Sequence, residues 1–295
     1  RRKNIFMTAS RRNIPVTFGA PPVPANLGET ETHGYEFTVG YNKRNAGGFG
    51  YNVSLSMTRA IDKVVKYEDP ELLGGYQKVV NFQIGQVKSQ VNDGFMNTWD
   101  DVYGSVRGVS NMPVRLPGDW DLIDYNGDGV VDNFDVVPYG FTNRPQNSYN
   151  ATLGVSYKGL SLMVQFFAVT NVNLTAYPYT PEARPWTTVS EELADYWRPD
   201  NPNTFYKGPR LTTTSSNGQF GIYDASYLRL KTAVLAYDFS GKWVRDLGVS
   251  NARVALTGNN LIFWSAFPMD SETSYDLGNS YPAYRQFDLS LNISF

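Results

Sequence analysis

The sequence feature with the clearest chemistry is an acidic loop at residues 124–135. Its spacing follows that of an EF-hand-type calcium loop, which places oxygen ligands at positions 1, 3, 5, 7, 9 and 12 and a turn-forming glycine at position 6. The residues at those ligand positions are Asp124, Asn126, Asp128, Val130 through its carbonyl, Asp132 and Asp135. Gly129 stands at position 6. Because Ca²⁺ prefers several hard oxygen ligands, we predict a structural calcium ion in this loop.

Three details refine this prediction. Asp135 stands where a longer Glu is usual, so its carboxylate has a shorter reach. Val131, at position 8, is expected to pack inward and anchor the loop. No long helical pattern flanks the loop, which favours a rigid clip over a calcium switch. The alternative is a turn rich in Asp and Asn that needs no metal.

Catalytic constellations are weak, and we predict that the chain is not an enzyme. His33 is the only histidine, cysteine is absent, and neither a Gly-x-Ser-x-Gly elbow nor a phosphate-binding glycine loop occurs. Glu191, Glu192 and Asp195 could be read as a glycosidase pair, but acidic residues are ordinary at the start of a short helix, which residues 191–197 could form. Four aromatic residues fit either sugar stacking or loop packing: Trp186, Trp197, Tyr177 and Tyr179.

Composition narrows the class of protein. The 295 residues include 20 Tyr, 17 Phe and 6 Trp, yet the mean hydropathy is −0.37. No apolar run of about 18 residues is present to form a membrane helix. A net charge of −2 gives no basic surface for nucleic acid. The absence of cysteine excludes disulfides and thiolate metal sites.

The last eleven residues, 285–295, form the most regular strand pattern in the chain. Apolar residues at 287, 289, 291, 293 and 295 alternate with polar ones, so one face is apolar and the other polar. A membrane-spanning β-strand needs about 9–11 residues. The pattern predicts a terminal strand that could close a barrel against lipid.

The same alternation recurs along the chain and sets out the remaining elements. It predicts strands near residues 35–41, 49–57, 149–157, 160–168, 228–236 and 252–256, and a weaker one within 4–10. Short turns near 46, 159 and 245 alternate with long connections at about 11–30, 67–147, 171–225 and 265–283. Outer-membrane barrels have long loops outside and short turns on the periplasmic side. The alternative is a soluble β-sandwich, whose strands also have one buried face.

Five segments stand out in order along the chain: residues 28–37, 118–140, 196–203 with 209–211, 226–231 and 258–264. Together they resemble the SusC/RagA-type TonB-dependent transporters of the Bacteroidota outer membrane. One departure is His33, which stands where Asn or Lys is usual. The resemblance implies that residues 1–295 form about the last eight strands of a 22-stranded transmembrane antiparallel β-barrel with long extracellular loops.

The resemblance also carries expectations about function. It implies outer-membrane TonB-dependent active import of an oligosaccharide or peptide, with a SusD-like surface lipoprotein as partner. The plug, the TonB contact and the earlier strands would lie in an amino-terminal part outside this chain. The chain begins without an initiator Met or an apolar signal region, which fits that expectation.

Two other functions remain open. The chain could be a secreted, soluble, calcium-stabilised β-domain that binds or cleaves carbohydrate, and solubility without detergent would distinguish it. A barrel serving in adhesion or protein export would share the fold but lack the plug, and the order of the motifs disfavours it.

Overall fold

The structure is a computed structural model. It describes residues 1–8, 15, 17, 19–108, 115–175, 194–204, 208, 222–239, 241, 244, 246, 248–267, 270, 272 and 283–295. Predicted features outside these ranges are the Glu191–Glu192 pair with most of its helical turn, and the aromatic residues Trp186, Tyr177 and Tyr179. No helix in the described ranges is long and apolar enough to cross a membrane.

Strands make up more than half of the described residues. The strands are β1 (Arg2–Met7), β2 (Ala25–Arg44), β3 (Phe49–Lys66), β4 (Lys88–Ser89), β5 (Asn92–Phe95), β6 (Arg107–Gly108), β7 (Trp120–Leu122), β8 (Val130–Val131), β9 (Val137–Pro138), β10 (Asn147–Tyr157), β11 (Leu160–Thr170), β12 (Asn173–Thr175), β13 (Ile222–Asp224), β14 (Tyr227–Phe239), β15 (Asn251–Ser265) and β16 (Gln286–Ser294). The described helical segments are α1 (Trp99–Gly104) and a 3₁₀ helix at Asn133–Asp135.

The long strands form one sheet of eight, in the order β1-β2-β3-β10-β11-β14-β15-β16. Apart from the short strands in the long connections, each neighbour in the sheet is the next strand along the chain. The pairs are antiparallel, and β10 keeps one unbroken register with both β3 and β11. The all-β, antiparallel meander of about eight strands is therefore confirmed.

Two irregularities occur at one level of the sheet. Register shifts lie between Gln165 and Phe166 where β11 meets β14, and between Leu230 and Thr232 where β14 meets β15. Asn260 on β15 has a φ of 53°, a left-handed conformation that Asn tolerates better than most residues. These bulges change which side chains share a face, and they lie beside a buried arginine described below.

The chain divides into two compact units. Unit 1 comprises residues 1–31, 62–142 and 175–223, and unit 2 comprises residues 32–61, 143–174 and 224–295. Unit 2 contains most of the long strands. Their side chains alternate between two faces: Leu235 and Tyr237 are 46% and 42% exposed, whereas Ala236 between them is 2% exposed. The sequence pattern predicts Ala236 on the same face as Leu228, and the register shift after Leu230 moves it to the opposite face. One face of this part of the sheet is therefore apolar and open.

Each predicted strand is present, although β3 and β15 extend to Lys66 and Ser265, beyond the predicted ends at 57 and 256. Three further differences lie in the first half of the chain. β2 begins at Ala25, ten residues before the predicted Tyr35 and inside the supposed connection at 11–30. His33 consequently lies on a strand, exposed, and not in a loop. The connection at 67–147 also contains short strand pairs, β4–β9, β5–β7 and β6–β8, which are too short to show alternation.

Candidate functional site

The acidic loop lies in unit 1 and is framed by short strands. β7 precedes it and pairs with β5, β8 lies inside it and pairs with β6, and β9 follows it and pairs with β4. Val131 is 3% exposed, in agreement with the expected inward packing of position 8. The Gln90 side-chain amide donates to the Asp132 carbonyl at 2.8 Å, which ties the loop to the segment after β4. Neighbouring strands thus fix both ends of the loop.

Asp135 is the central residue of this loop. Its side chain is completely buried, and its two oxygens accept three backbone N–H groups. Oδ1 accepts from Tyr125 at 2.8 Å and from Asn126 at 3.2 Å, and Oδ2 accepts from Asp132 at 2.6 Å. A buried carboxylate is costly unless it is well hydrogen-bonded, and these bonds provide the compensation. Asp135, the last residue of the loop, therefore fixes the main chain at the start of the loop.

The first half of the loop is a series of turns built by side-chain oxygens. Asp124 accepts the N–H of Gly127 and of Gly129, both at 2.7 Å. Asn126 Oδ1 accepts the Asp128 N–H at 2.9 Å, and Asp128 Oδ1 accepts the N–H two residues further on, also at 2.9 Å. Gly127 and Gly129 have φ angles of 74° and 87°, which favour glycine. Each acidic side chain thereby shapes the backbone around it.

The donor types of the loop suit calcium, but the acidic groups do not converge on one point. Over the residues that the structure describes, no three His, Cys, Asp or Glu side chains stand close enough together to hold a metal ion. The carboxylates are directed at backbone amides instead. Calcium binding by Asp124, Asn126, Asp128, Val130, Asp132 and Asp135 stays a prediction.

Trp197, one of the aromatic residues considered for sugar stacking, is buried within unit 1. It is 8% exposed, and its indole N–H donates to Asn97 Oδ1 at 2.9 Å. Its ring lies against Gly118, where an added Cβ would come within 2.4 Å of ring atom Cε3. Gly118 has a φ of 89°. Loop packing, and not sugar stacking, is the role that this arrangement gives Trp197.

Unit 2 contains a charged network formed by Arg229, Lys231, Asp270 and Glu272. Arg229 is 2% exposed, and its Nη2 contacts both carboxylate oxygens of Asp270 at 2.5 Å. Its Nε lies 2.6 Å from Glu272 Oε2, an ion contact whose geometry is not that of a hydrogen bond. Lys231 donates to Glu272 at 2.6 Å. The two cations and two anions balance.

Aromatic rings complete the surroundings of Arg229. Its guanidinium carbon lies 4.6 Å from the centre of the Phe263 ring and 5.9 Å from that of Tyr227. Alternation identifies Arg229 as facing away from the apolar side of the sheet. Its acidic partners lie 41 and 43 positions away in sequence, and no local pattern reveals them. The network fastens Asp270 and Glu272 to β14.

Two of the remaining catalytic candidates, Asp195 and His33, lie among the described residues. Asp195 is exposed and accepts from the Asn201 side-chain amide at 2.6 Å. His33 is exposed on β2.

Comparison with known proteins gives relatives of one kind. The chain is similar to TonB-dependent receptor P26 of Formosa agariphila, with 29% identity over 315 aligned positions that cover 96% of this chain and 31% of the relative. It is also similar to TonB-dependent receptor P3 of the same organism, with 23% identity over 96% of this chain and 30% of the relative. The chain thus spans about a third of the length of these relatives. No family model matches the chain.

Solved structures show the same fold. The RagAB peptide importer in the open-open state superposes with a TM-score of 0.68 at 17% identity, covering 99% of this chain and 31% of that one. The closed-closed state of that importer gives a TM-score of 0.65 at 16% identity, covering 97% of this chain and 32% of that one.

Proposed function

We infer that this chain, whose sequence and fold are of the SusC/RagA type, forms the carboxyl-terminal part of the barrel wall of a TonB-dependent transporter in the outer membrane. The observation that carries this proposal is the open apolar face of the sheet in unit 2. Large apolar side chains on adjacent strands, such as Leu162, Leu235 and Leu256, are each more than 40% exposed and opposite one another. Soluble proteins seldom expose so extended an apolar surface, whereas lipid would cover it.

The transport activity extends the proposal to a longer protein. The relatives are named TonB-dependent receptors, and the chain matches only 31% of the first one's length. We propose that a plug and earlier strands belong to the rest of the transporter, and that TonB acts through that part. Nutrient import is then the role of the whole protein, with this chain as barrel wall and long loops.

The proposed partner and substrate class rest on analogy with the solved structures. The solved structures are those of the RagAB peptide importer. By that analogy we propose a SusD-like lipoprotein over the long loops and an oligosaccharide or peptide as the substrate class. Purification of the full-length protein from membranes tests the partner directly, because a stable complex brings the lipoprotein with it. Purification of the transporter alone under mild detergent contradicts the two-component proposal.

Lipid exposure can be tested by labelling, because the chain has no cysteine of its own. Spin labels at Leu289→Cys and Leu291→Cys are expected to collide with oxygen dissolved in lipid. Labels at the matched controls Ser290→Cys and Asn292→Cys are expected to collide with an aqueous nickel reagent, since strand side chains alternate between faces. Equal aqueous accessibility at all four sites, in protein that is soluble without detergent, would favour the secreted carbohydrate-active β-domain.

Calcium remains part of the proposal for the acidic loop. Its support is the spacing and oxygen chemistry of the six predicted ligands. Calorimetry with Ca²⁺ on the full-length protein is expected to show saturable binding that Asp128→Ala abolishes and Asp100→Ala leaves unchanged. If Ca²⁺ gives no binding heat and a chelator leaves the melting temperature unchanged, the loop is held only by hydrogen bonds from its backbone N–H groups to its carboxylates.

A further inference from the structure

Unit 1 contains a half-open cleft of about 770 Å³. It is formed by β1, the beginning of β2, the end of β3 and the segment between residues 67 and 88. We name it the Lys88 cleft, after the lysine on its wall. A cavity of this size lies within the range of small-molecule sites, which is about 300–1,000 Å³.

The floor of the Lys88 cleft is apolar. Met7 and Val64 are 3% and 6% exposed, and Phe82 contributes an aromatic ring. The Val64 main chain holds this region together, because its N–H donates to the Phe82 carbonyl at 2.8 Å. These side chains give the cleft an apolar floor.

Three cationic side chains line the same cleft: Arg2, Lys66 and Lys88. The Lys88 ammonium donates to the carbonyls of Gln77 and Lys78, both at 2.6 Å, and lies 5.1 Å from the centre of the Phe82 ring. Carbonyl oxygens carry no net charge. Within the described part of the chain, no carboxylate stands within ion-pair distance of Lys88, and Asp69 acts on its charge only from a longer range.

The nearby acidic groups are engaged elsewhere. Glu29 is the one acidic residue in the lining, and it already contacts Arg1 at 2.6 Å and Lys3 at 3.9 Å. Asp69 accepts the N–H groups of Val79 and Val80, and Asp62 that of Ile84. Bonds from neutral N–H groups leave Asp69 and Asp62 negatively charged, and Glu29 also attracts Lys66. The excess of positive charge is therefore that of the lining itself, which has three cations and one carboxylate above an apolar floor.

The geometry points to a binding site for an organic anion, a carboxylate or phosphate on an apolar body, with the anion at Lys66 and Lys88 and the body on Met7, Val64 and Phe82. Burial lowers the pKa of Lys88, while Asp69 opposes that change from a distance. A bound anion would stabilise the ammonium form that burial disfavours. Binding here involves residues of unit 1 alone and does not depend on transport.

The test compares ligands that differ in charge and hardly in shape. Acetyl-Leu-Phe with a free carboxylate and the same dipeptide as its carboxamide are titrated into the full-length purified protein by calorimetry, and phenyl phosphate forms a second arm. We expect saturable binding of the carboxylate at least about tenfold tighter than the amide, which corresponds to about 1.4 kcal/mol. Binding of phenyl phosphate but not of the dipeptide acid assigns the site to phosphate groups.

Two variants localise the binding. Lys66→Met removes an exposed charge, and Lys88→Met removes the half-buried one with its two carbonyl contacts. We expect each variant to weaken binding of the anion about tenfold and to leave the affinity for the carboxamide unchanged. If Lys88→Met unfolds the segment, Lys66→Met alone decides. Equal affinities for acid and amide, anion binding that Lys66→Met leaves unaltered, or no saturable anion binding at millimolar concentration would each overturn the proposal.

Discussion

The strands of unit 2 and the acidic part of unit 1 hold their main chains by different means. In unit 2, backbone groups of adjacent strands bond to each other in long registers, such as the one from Asn147↔Thr170 to Tyr157↔Leu160. In the 62–142 part of unit 1, carboxylates receive the backbone N–H groups, as Asp69, Asp101, Asp124 and Asp135 show. The strands of unit 2 depend on backbone hydrogen bonds between neighbouring strands, whereas the 62–142 part of unit 1 depends on individual carboxylate side chains. Single side-chain substitutions should therefore lower the free energy of unfolding most in the 62–142 part of unit 1.

The largest difference is expected between two glycines of similar backbone conformation. Gly118 in unit 1 has a φ of 89° and faces the Trp197 ring, whereas Gly48 in the β2–β3 turn has a φ of 82° and open space around it. Gly118→Ala adds a clash to the backbone strain, so we expect a loss of about 3 kcal/mol against about 1 kcal/mol for Gly48→Ala. Thermal unfolding in detergent measures both. Equal losses would show that strain alone decides and that the Trp197 contact is unimportant.

A second comparison sets a buried carboxylate against an exposed one. Asp135→Asn replaces an acceptor of three backbone N–H groups by a side chain with a single acceptor oxygen, and we expect a cost of about 2 kcal/mol. The control Asp288→Asn lies exposed on β16 and should change stability by less than about 0.5 kcal/mol. Hydrogen exchange should accelerate at the amides of Tyr125, Asn126 and Asp132. Unchanged protection there would contradict the central role of Asp135.

The charged network is the exception within unit 2, and it tests how far the contrast holds. Asp270→Asn leaves the buried Arg229 short of one negative partner, which should cost about 2 kcal/mol. Arg229→Met should cost less, because its acidic partners are about a quarter exposed, at 24%, and can be hydrated. Thermal unfolding of the two variants, measured in parallel, shows which substitution costs more stability. The reverse order would mean that Arg229 contributes mainly through its packing against Phe263.

The smallest effect is expected at the start of α1. The pKa of Asp101 is lowered because its carboxylate interacts with the backbone N–H and side chain of Thr98 and then with the Asn97 N–H. The stabilisation is thus present above the ordinary Asp pKa of 3.8 and is lost as the pH falls through the lower folded value. Amide exchange of residues 98–105, corrected for its intrinsic pH dependence, should rise in that window.

The matched variants complete this test. Asp101→Asn should remove the pH dependence of that exchange, whereas Asp100→Asn should retain it. A pH response that survives Asp101→Asn would assign it to another group.

The same contrast explains what the sequence could predict. Strands such as β10, β11 and β16 are visible because their alternation repeats over nine or more residues and the ladder needs nothing else. The early start of β2 is hidden, because residues 25–34 lack a regular apolar alternation. The two-residue strands β4, β8 and β9 are too short for any period.

The candidate sites follow the same division. The spacing of residues 124–135 predicts their oxygen chemistry and the inward packing of Val131, since both are local. It does not predict that the carboxylates serve backbone amides, because metal ligation and turn formation favour the same residue types. The partners of Arg229 and the cations of the Lys88 cleft are brought together by tertiary structure.

The acidic loop closes on itself. Among the described residues, the side-chain bonds accepted by Asp124, Asn126, Asp128 and Asp135 join residues at most ten positions apart. The turns of the loop are therefore determined by a short stretch of sequence, while β8 and the Gln90 contact hold the loop against its neighbours. The turns of the acidic loop can therefore stay constant where the segments around it vary. A tag or an epitope could be inserted beside it.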